Sequence, residues 1–212
     1  MEQLLVKAEE LFMRYGIRSV AMDDLARELG VSKKTLYQLV ENKEDLIRQI
    51  FQSLTSQQME EIGARRVAAD NAVAELVEVV QYMLGQLRRV SASFRYDLEK
   101  YYPSLNQELE QLHESFFESF IRENLEWGVQ EGLYRPHMDT AVIARMFVNT
   151  ALQTGHDELF PVHEYALDHL LEQLFLYHIH GVATARGTQY IKQYLGTVAK
   201  SFDSHHHNEN TE

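Results

Sequence analysis

The chain contains no cysteine, which excludes disulfides, thiolate nucleophiles and cysteine-bound zinc. It has only three prolines, Pro103, Pro136 and Pro161, and each stands where a helical pattern begins or has just stopped. Alternating β-branched residues are nearly absent, so nothing in the pattern asks for a sheet. No apolar run approaches the ~18 residues that a membrane span requires. The opening MEQLLVKAEELF interleaves acids with apolar residues, unlike a secretory signal. A Gly-rich phosphate loop, a Ser/His/Asp arrangement and a paired-carboxylate site are all missing, so neither a catalytic centre nor a cofactor is expected. Together these absences lead to the expectation of a cytoplasmic, non-enzymatic protein with no membrane association.

Basic residues are also scarce. There are 20 Lys and Arg against 32 Asp and Glu, a net charge of −12, which taken whole argues against a nucleic-acid partner. The distribution softens that objection. Residues 1–52 hold 8 basic and 9 acidic residues, whereas the remainder holds 12 and 23. Lys33, Lys34, Lys43 and Arg48 fall close together in the nearly neutral segment, enough for a local basic face.

What the chain does have is apolar residues at three- and four-residue spacing from end to end, the period of helices. Leu4, Leu5, Ala8, Leu11, Phe12 and Tyr15 form one stripe of a first helix, closed by Gly16. A second runs from Asp23 to Leu29 and a third from Lys33 to Leu39, with Ser32 as its N-cap. Asn42 caps a fourth that starts at Lys43, places Asp45 at its third position and continues to the neighbourhood of Arg66. Further helices are expected over 72–90, over 92–101 and from Pro103 to near Gly132. An eighth is capped by Asp139, a ninth spans 163–181, and a short one follows Gly187 with Tyr190, Ile191, Tyr194, Leu195 and Val198. Residues 201–212 have no apolar pattern and read as a disordered tail. His178 and His180 are two apart and point to different helix faces, and a tail holding His205 to His207 offers no fixed coordination geometry, so no metal site is expected.

The informative stretch is Asp24 to Tyr37, DLARELGVSKKTLY. Two short helices joined by a tight turn cross closely, and Ala26 supplies the small residue at the crossing. Gly30 supplies the positive φ that the turn needs. Val31 and Leu36 are expected to bury against Leu25 and Leu29, giving a helix-turn-helix. Such a unit offers the start of its second helix to the DNA major groove, here Ser32, Lys33, Lys34, Thr35 and Tyr37. Lysines reach phosphates or guanine edges, Thr35 a base or a phosphate, and Tyr37 donates to phosphate.

Residues 5–51 resemble the DNA-binding domain of TetR-family transcriptional regulators. The matching elements are Ala8, Leu11-Phe12, Gly16, Asp24-Leu-Ala, Gly30-Val-Ser, Thr35-Leu-Tyr37 and Lys43-Glu-Asp-Leu46. The resemblance implies that the third helix reads the groove and that Lys43, at a helix N-terminus suited to anions, touches a phosphate. Three positions depart from the pattern. Ala21 stands where Thr or Ser usually caps the second helix, Leu39 where His or Tyr commonly contacts the backbone, and Val40 where an aromatic core residue is usual. Two phosphate contacts fewer are therefore implied, and affinity scales with phosphates neutralised.

The fold expected is all-α: a three-helix helix-turn-helix DNA-binding domain at 1–48, a helical effector-binding and dimerisation domain at 49–200, and the tail. The resemblance places a homodimer interface in the eighth and ninth helices. The ninth is apolar on more faces than a monomer needs, so Leu170, Leu171, Leu174 and Phe175 are its candidates. Tyr82, Phe116, Phe120, Trp127, Met146 and Phe147 have helical spacing, read either as plain core or as walls of an apolar pocket. Asn149, Thr150 and Gln153 are the candidate orienting polar groups. The partners expected are a palindromic double-stranded operator, a second copy of the chain, and a small apolar effector that releases a repressor from DNA. The acidic balance beyond residue 52 tilts the effector toward neutral or cationic compounds. The competing reading is a helical protein-interaction module whose helix-turn-helix has lost DNA binding, favoured by Ala21, Leu39 and the net charge.

Overall fold

A computed structural model describes residues 2–87, 90–154, 159–161 and 163–194. The expectations placed on Leu195, Val198 and the tail at 201–212 lie outside them. The described residues form α1 (Glu2–Tyr15), α2 (Met22–Glu28), α3 (Lys33–Leu36), α4 (Lys43–Ala68), α5 (Ala72–Leu87), α6 (Ala92–Tyr101), α7 (Pro103–Gln130), α8 (Thr140–Gln153) and α9 (Leu167–Val182). A further helical run covers 185–194. Among these residues the only β pairing is an isolated bridge between Tyr134 and Ala183. No described helix is long and apolar enough to cross a membrane.

The chain divides into two compact units, residues 1–63 with 85–113, and residues 64–84 with 114–212. The first is larger than the expected 1–48 segment, and its core shows why. Leu4, Phe12, Leu25, Leu36 and Leu46 share one buried cluster with Phe94 and Leu98 of α6 and with Leu105 and Leu109 of α7. Phe51 of α4 stacks on Phe94 at 5.8 Å between ring centroids. Asp97 of α6 accepts the Arg18 backbone N–H at 2.8 Å, tying α6 to the turn after α1. The three-helix motif therefore completes its core with α4, α6 and the first turns of α7.

In the second unit, α5 is buried on nearly every side, from Ala72 through Val77 and again at Val79 and Leu84. α8 turns Ala144 and Val148 inward, and α9 turns Phe175, His178, Ile179 and Val182 inward. Asp139 caps α8 as expected, accepting the Val142 N–H at 3.1 Å.

Candidate nucleic-acid interface and effector region

The helix-turn-helix is built from local hydrogen bonds. Gly30 takes φ +66°, its N–H bonds to Arg27 O, and the Val31 N–H reaches Ala26 O. These are the two bonds of a Schellman ending for α2. They fix the Val31 backbone at the rim of the turn, so Val31 is 37% exposed rather than buried as expected. Leu25 and Leu36 are fully buried and Ala26 is buried at the crossing. Ser32 caps α3: its Oγ accepts the Thr35 N–H at 3.0 Å and lies 2.8 Å from Thr35 Oγ1. α3 stops at Leu36, three residues short of the expected end. Beyond it the Gln38 and Leu39 N–H groups bond three residues back, a tightened turn that also buries Val40. Tyr37 becomes the C-cap of α3 and Leu39 the last residue of the turn, both exposed.

Asn42 caps α4 through the Asp45 N–H at 2.9 Å, and Asp45 answers by accepting the Glu41 N–H at 2.9 Å. Ala21, at the N-cap of α2, has no side-chain acceptor. Asp24 supplies half of the box by accepting the Ala21 N–H at 3.0 Å.

The predicted DNA contacts share one surface but not one state. Lys34 is exposed and carries no ion pair among the described residues. Lys33 is exposed and pairs with Asp23 at 2.7 Å, and this bond raises its pKa. Lys43 folds back: its ammonium donates to the Val20 carbonyl and lies 5.6 Å from the Phe12 ring centroid. Burial pulls its pKa down, against the attraction of Asp97 and Asp24. What Lys43 offers outward is the start of α4 rather than its charge. Arg48 is likewise occupied, by Glu108 at 3.2 Å and Glu44 at 3.4 Å. Ser32, Thr35 and Tyr37 keep exposed side chains.

The residues grouped as an apolar pocket are dispersed within the second unit. Phe120 is buried, while Phe116, Trp127, Tyr82 and Phe147 are half-buried. Phe116 packs edge-on to Phe117, Tyr82 lies under the Arg65 guanidinium at 4.3 Å, and Phe147 stacks on His178 at 4.1 Å. Met146 is 61% exposed, and Thr150 and Gln153 are exposed with it. The inward face of α8 is the Ala144–Val148 face, and a residue two positions from either points the opposite way. The polar candidates are used locally: Thr150 Oγ1 donates to Met146 O at 2.6 Å, and Asn149 Nδ2 donates to Glu114 at 3.1 Å. Met146, Thr150 and Gln153 therefore do not wall an enclosed space in this chain.

Of the dimer candidates, Leu170, Leu171 and Leu174 are half-buried, whereas Phe175 is buried in its own unit and is not presented to a partner. Val142 and Met146 on α8 and Tyr177 on α9 are the exposed apolar side chains there.

Sequence reasoning missed a polar network inside the second unit. Glu75 is fully buried, its Oε2 accepting from Asn124 Nδ2 at 2.7 Å. Asn124 also donates to Ala72 O at 2.8 Å, and the Tyr134 hydroxyl donates to Ala72 O at 3.2 Å and to Asn124 Oδ1 at 3.3 Å. A Cβ at Gly128 would stand 2.1 Å from the Tyr134 ring, so glycine there is what lets the ring lie against α7. Burial raises the pKa of both Glu75 and Tyr134. The one signal in the sequence was an acid set inside the apolar run AVAELVEVV. Among the described residues, no group of three or more His, Asp or Glu is placed to hold a metal ion.

A Schellman-closed helix pair whose second helix begins with a serine cap and two lysines defines a helix-turn-helix DNA-binding protein. Residues 4–50 match the family model of the bacterial regulatory proteins of the tetR family. The chain belongs to that family and is a TetR-family transcription regulator, not an enzyme. A search among curated proteins finds no match.

Solved structures with the same fold include a transcriptional regulator from Cytophaga hutchinsonii, at 16% identity, TM-score 0.74, covering 86% of this chain and 98% of that one. FadR from Bacillus subtilis, in complex with stearoyl-CoA, has 18% identity and TM-score 0.65, covering 85% and 98%. A putative regulator from Saccharomonospora viridis, in complex with choline, has 18% identity and TM-score 0.59, covering 86% and 97%. Identities this low establish the shared fold.

Proposed function

We propose that the protein is a cytoplasmic repressor that binds a palindromic operator as a homodimer and leaves it when the second unit takes up a small molecule. The observation that carries this reading is the surface around α3. A rigid turn and a serine cap hold Lys34, Thr35 and Tyr37 outward beside the start of α4. In this reading residues 1–48 are the DNA-binding segment, Ser32, Lys33, Lys34, Thr35 and Tyr37 reach the groove and its phosphates, and Lys43 acts through its helix N-terminus.

A single reading helix has too small a surface for tight specific binding, and two-fold dimers match palindromic half-sites. The exposed Val142, Met146 and Tyr177, continued by Leu170, Leu171 and Leu174, are the apolar surface for a mate on α8 and α9. That similar folds are known in complex with stearoyl-CoA and with choline supports a small-molecule effector as a class. Linkage then requires the effector to prefer a conformer unfit for the operator, and the operator to weaken effector binding reciprocally.

A second reading, an interaction module without DNA binding, is favoured by one observation: two of the three lysines are already engaged, Lys33 by Asp23 and Lys43 by Val20. A gel shift with the DNA upstream of the protein's own coding region separates the two. Retardation that competes with specific but not random duplex supports the regulator, and no retardation at micromolar protein leaves the interaction module.

A further inference from the structure

One oxygen of the second unit's interior is left without a hydrogen bond at the edge of an open cleft. Glu75 has no exposed surface; its Oε2 is held by Asn124, but its Oε1 accepts no hydrogen bond. The nearest opposite charge is Arg66 Nε at 3.5 Å, and the same guanidinium also pairs with Glu123. Arg66 and Glu123 form the wall of a cleft of about 330 Å³, completed by Glu126, Trp127 and Gln130. Glu126 is only loosely held, with Arg122 Nε at 3.9 Å and Thr140 Oγ1 at 3.5 Å. Three carboxylates thus surround one guanidinium, with a second arginine at the rim and an indole beside them.

A buried acceptor left unmade costs stability unless function uses it. Arg66 divides its charge between a buried and an exposed carboxylate and hydrogen-bonds only the exposed one. A small cation with its own N–H donors that reaches this point supplies the bond that Glu75 Oε1 lacks. The indole face of Trp127 covers its charge or its alkyl part. An anion meets the opposite: three carboxylates and one arginine already committed.

We propose that the cleft between Arg66 and Trp127 binds a primary alkylammonium compound, its N–H groups shared between Glu123 and Glu75 in competition with Arg66, its carbon chain against Trp127. This deepens the effector reading by naming the ligand's chemistry, and it rests on that reading only for its regulatory consequence. A primary rather than a quaternary ammonium is specified because the orphaned oxygen needs a donor, and a quaternary nitrogen has none.

Trp127 is the only tryptophan in the chain, so intrinsic fluorescence reports on this cleft directly. The full chain is titrated, without DNA, with n-hexylammonium chloride, hexyltrimethylammonium chloride and hexan-1-ol. The expected result is a saturable change with n-hexylammonium and binding weaker by about tenfold or more for the other two, the order of one lost charge-assisted hydrogen bond. Glu123→Gln should weaken n-hexylammonium by about fivefold, and Glu75→Gln should lower its preference over hexyltrimethylammonium. Where Glu75→Gln does not fold, Glu123→Gln at the surface decides. No saturable change, equal binding of hexan-1-ol or of hexyltrimethylammonium, or an unaffected Glu123→Gln variant overturns the proposal. Because no DNA is present, its failure is separate from a failed gel shift.

Discussion

The two units spend their polar groups in opposite ways. In the first, the polar side chains of the helix-turn-helix act locally and face outward: Ser32 on Thr35, Asn42 on Asp45, and Asp24 on the Ala21 N–H all lie within four residues of their partners. In the second, the decisive polar groups are buried and joined across long stretches of chain, as Glu75 is to Asn124 and Asn124 to Ala72. Two atoms there, Glu75 Oε1 and His178 Nε2, are buried with no hydrogen bond at all. Local, exposed capping gives a rigid surface of low cost, suited to a fixed partner such as a phosphate backbone. Buried polarity carries a penalty that a ligand can relieve, which is the physical requirement for a unit that responds.

If that contrast is right, removing an inward partner costs more than removing an outward cap. Asn124→Leu strands the inner oxygen of Glu75 and the Tyr134 hydroxyl, and is expected to destabilise the protein by about 3 kcal/mol in urea denaturation. A loss below 1 kcal/mol breaks the comparison.

His178 gives the next test. Burial lowers its pKa from 6.5 to about 4. An unfolded chain takes up this proton near pH 6.5 while the folded one refuses it until about pH 4, so the unfolded state binds more protons in that window. Stability from this group therefore falls as pH drops from about 6.5 to about 4, by roughly 3 kcal/mol in total. His178→Phe, which keeps a ring against Phe147 and removes the orphaned nitrogen, should match wild type at pH 7 or exceed it slightly. Its advantage should grow by most of that amount by pH 4.5, and parallel pH profiles for the two proteins contradict the assignment.

The outward groups give smaller effects. Ser32→Ala removes the cap of a four-residue helix and should cost about 1 kcal/mol, with a larger effect on operator affinity than on melting. Ala21→Ser installs the cap that Asp24 now supports from one side only, and should raise stability by about 0.5 kcal/mol. A neutral Ser32→Ala or a destabilising Ala21→Ser, read by thermal melts, breaks the picture of local capping.

The same difference decides what was legible in the sequence. The turn at Gly30, the caps at Ser32 and Asn42 and the small residue at Ala26 were readable because each is a rule about neighbours within four residues. Helix ends away from caps were less so: α3 ends at Leu36 because the anchors at Leu36 and Val40 draw the chain into a tighter turn, a tertiary effect. The exposure of Val31 follows from backbone bonds that side-chain polarity does not announce. Inside the second unit, periodicity found the helices but not which of their faces turn inward. Met146 and Phe175 were therefore each placed on the wrong side, and the Glu75–Asn124–Tyr134 network, spread over sixty residues of chain, left only an acid in an apolar run as its trace.

The central claim is that the exposed surface at α3 and the start of α4 neutralises DNA phosphates. The most direct measurement is the salt dependence of binding to the upstream DNA, by fluorescence anisotropy, for the wild type and the Lys33→Ala/Lys34→Ala/Lys43→Ala variant. Each phosphate neutralised contributes about 0.9 to the slope of log affinity against log salt, so the triple variant should bind far more weakly and its slope should flatten by about two to three units. The share lost with Lys34 should be the largest, since that lysine alone of the three is unpaired. Unchanged affinity and slope in the triple variant would contradict the account.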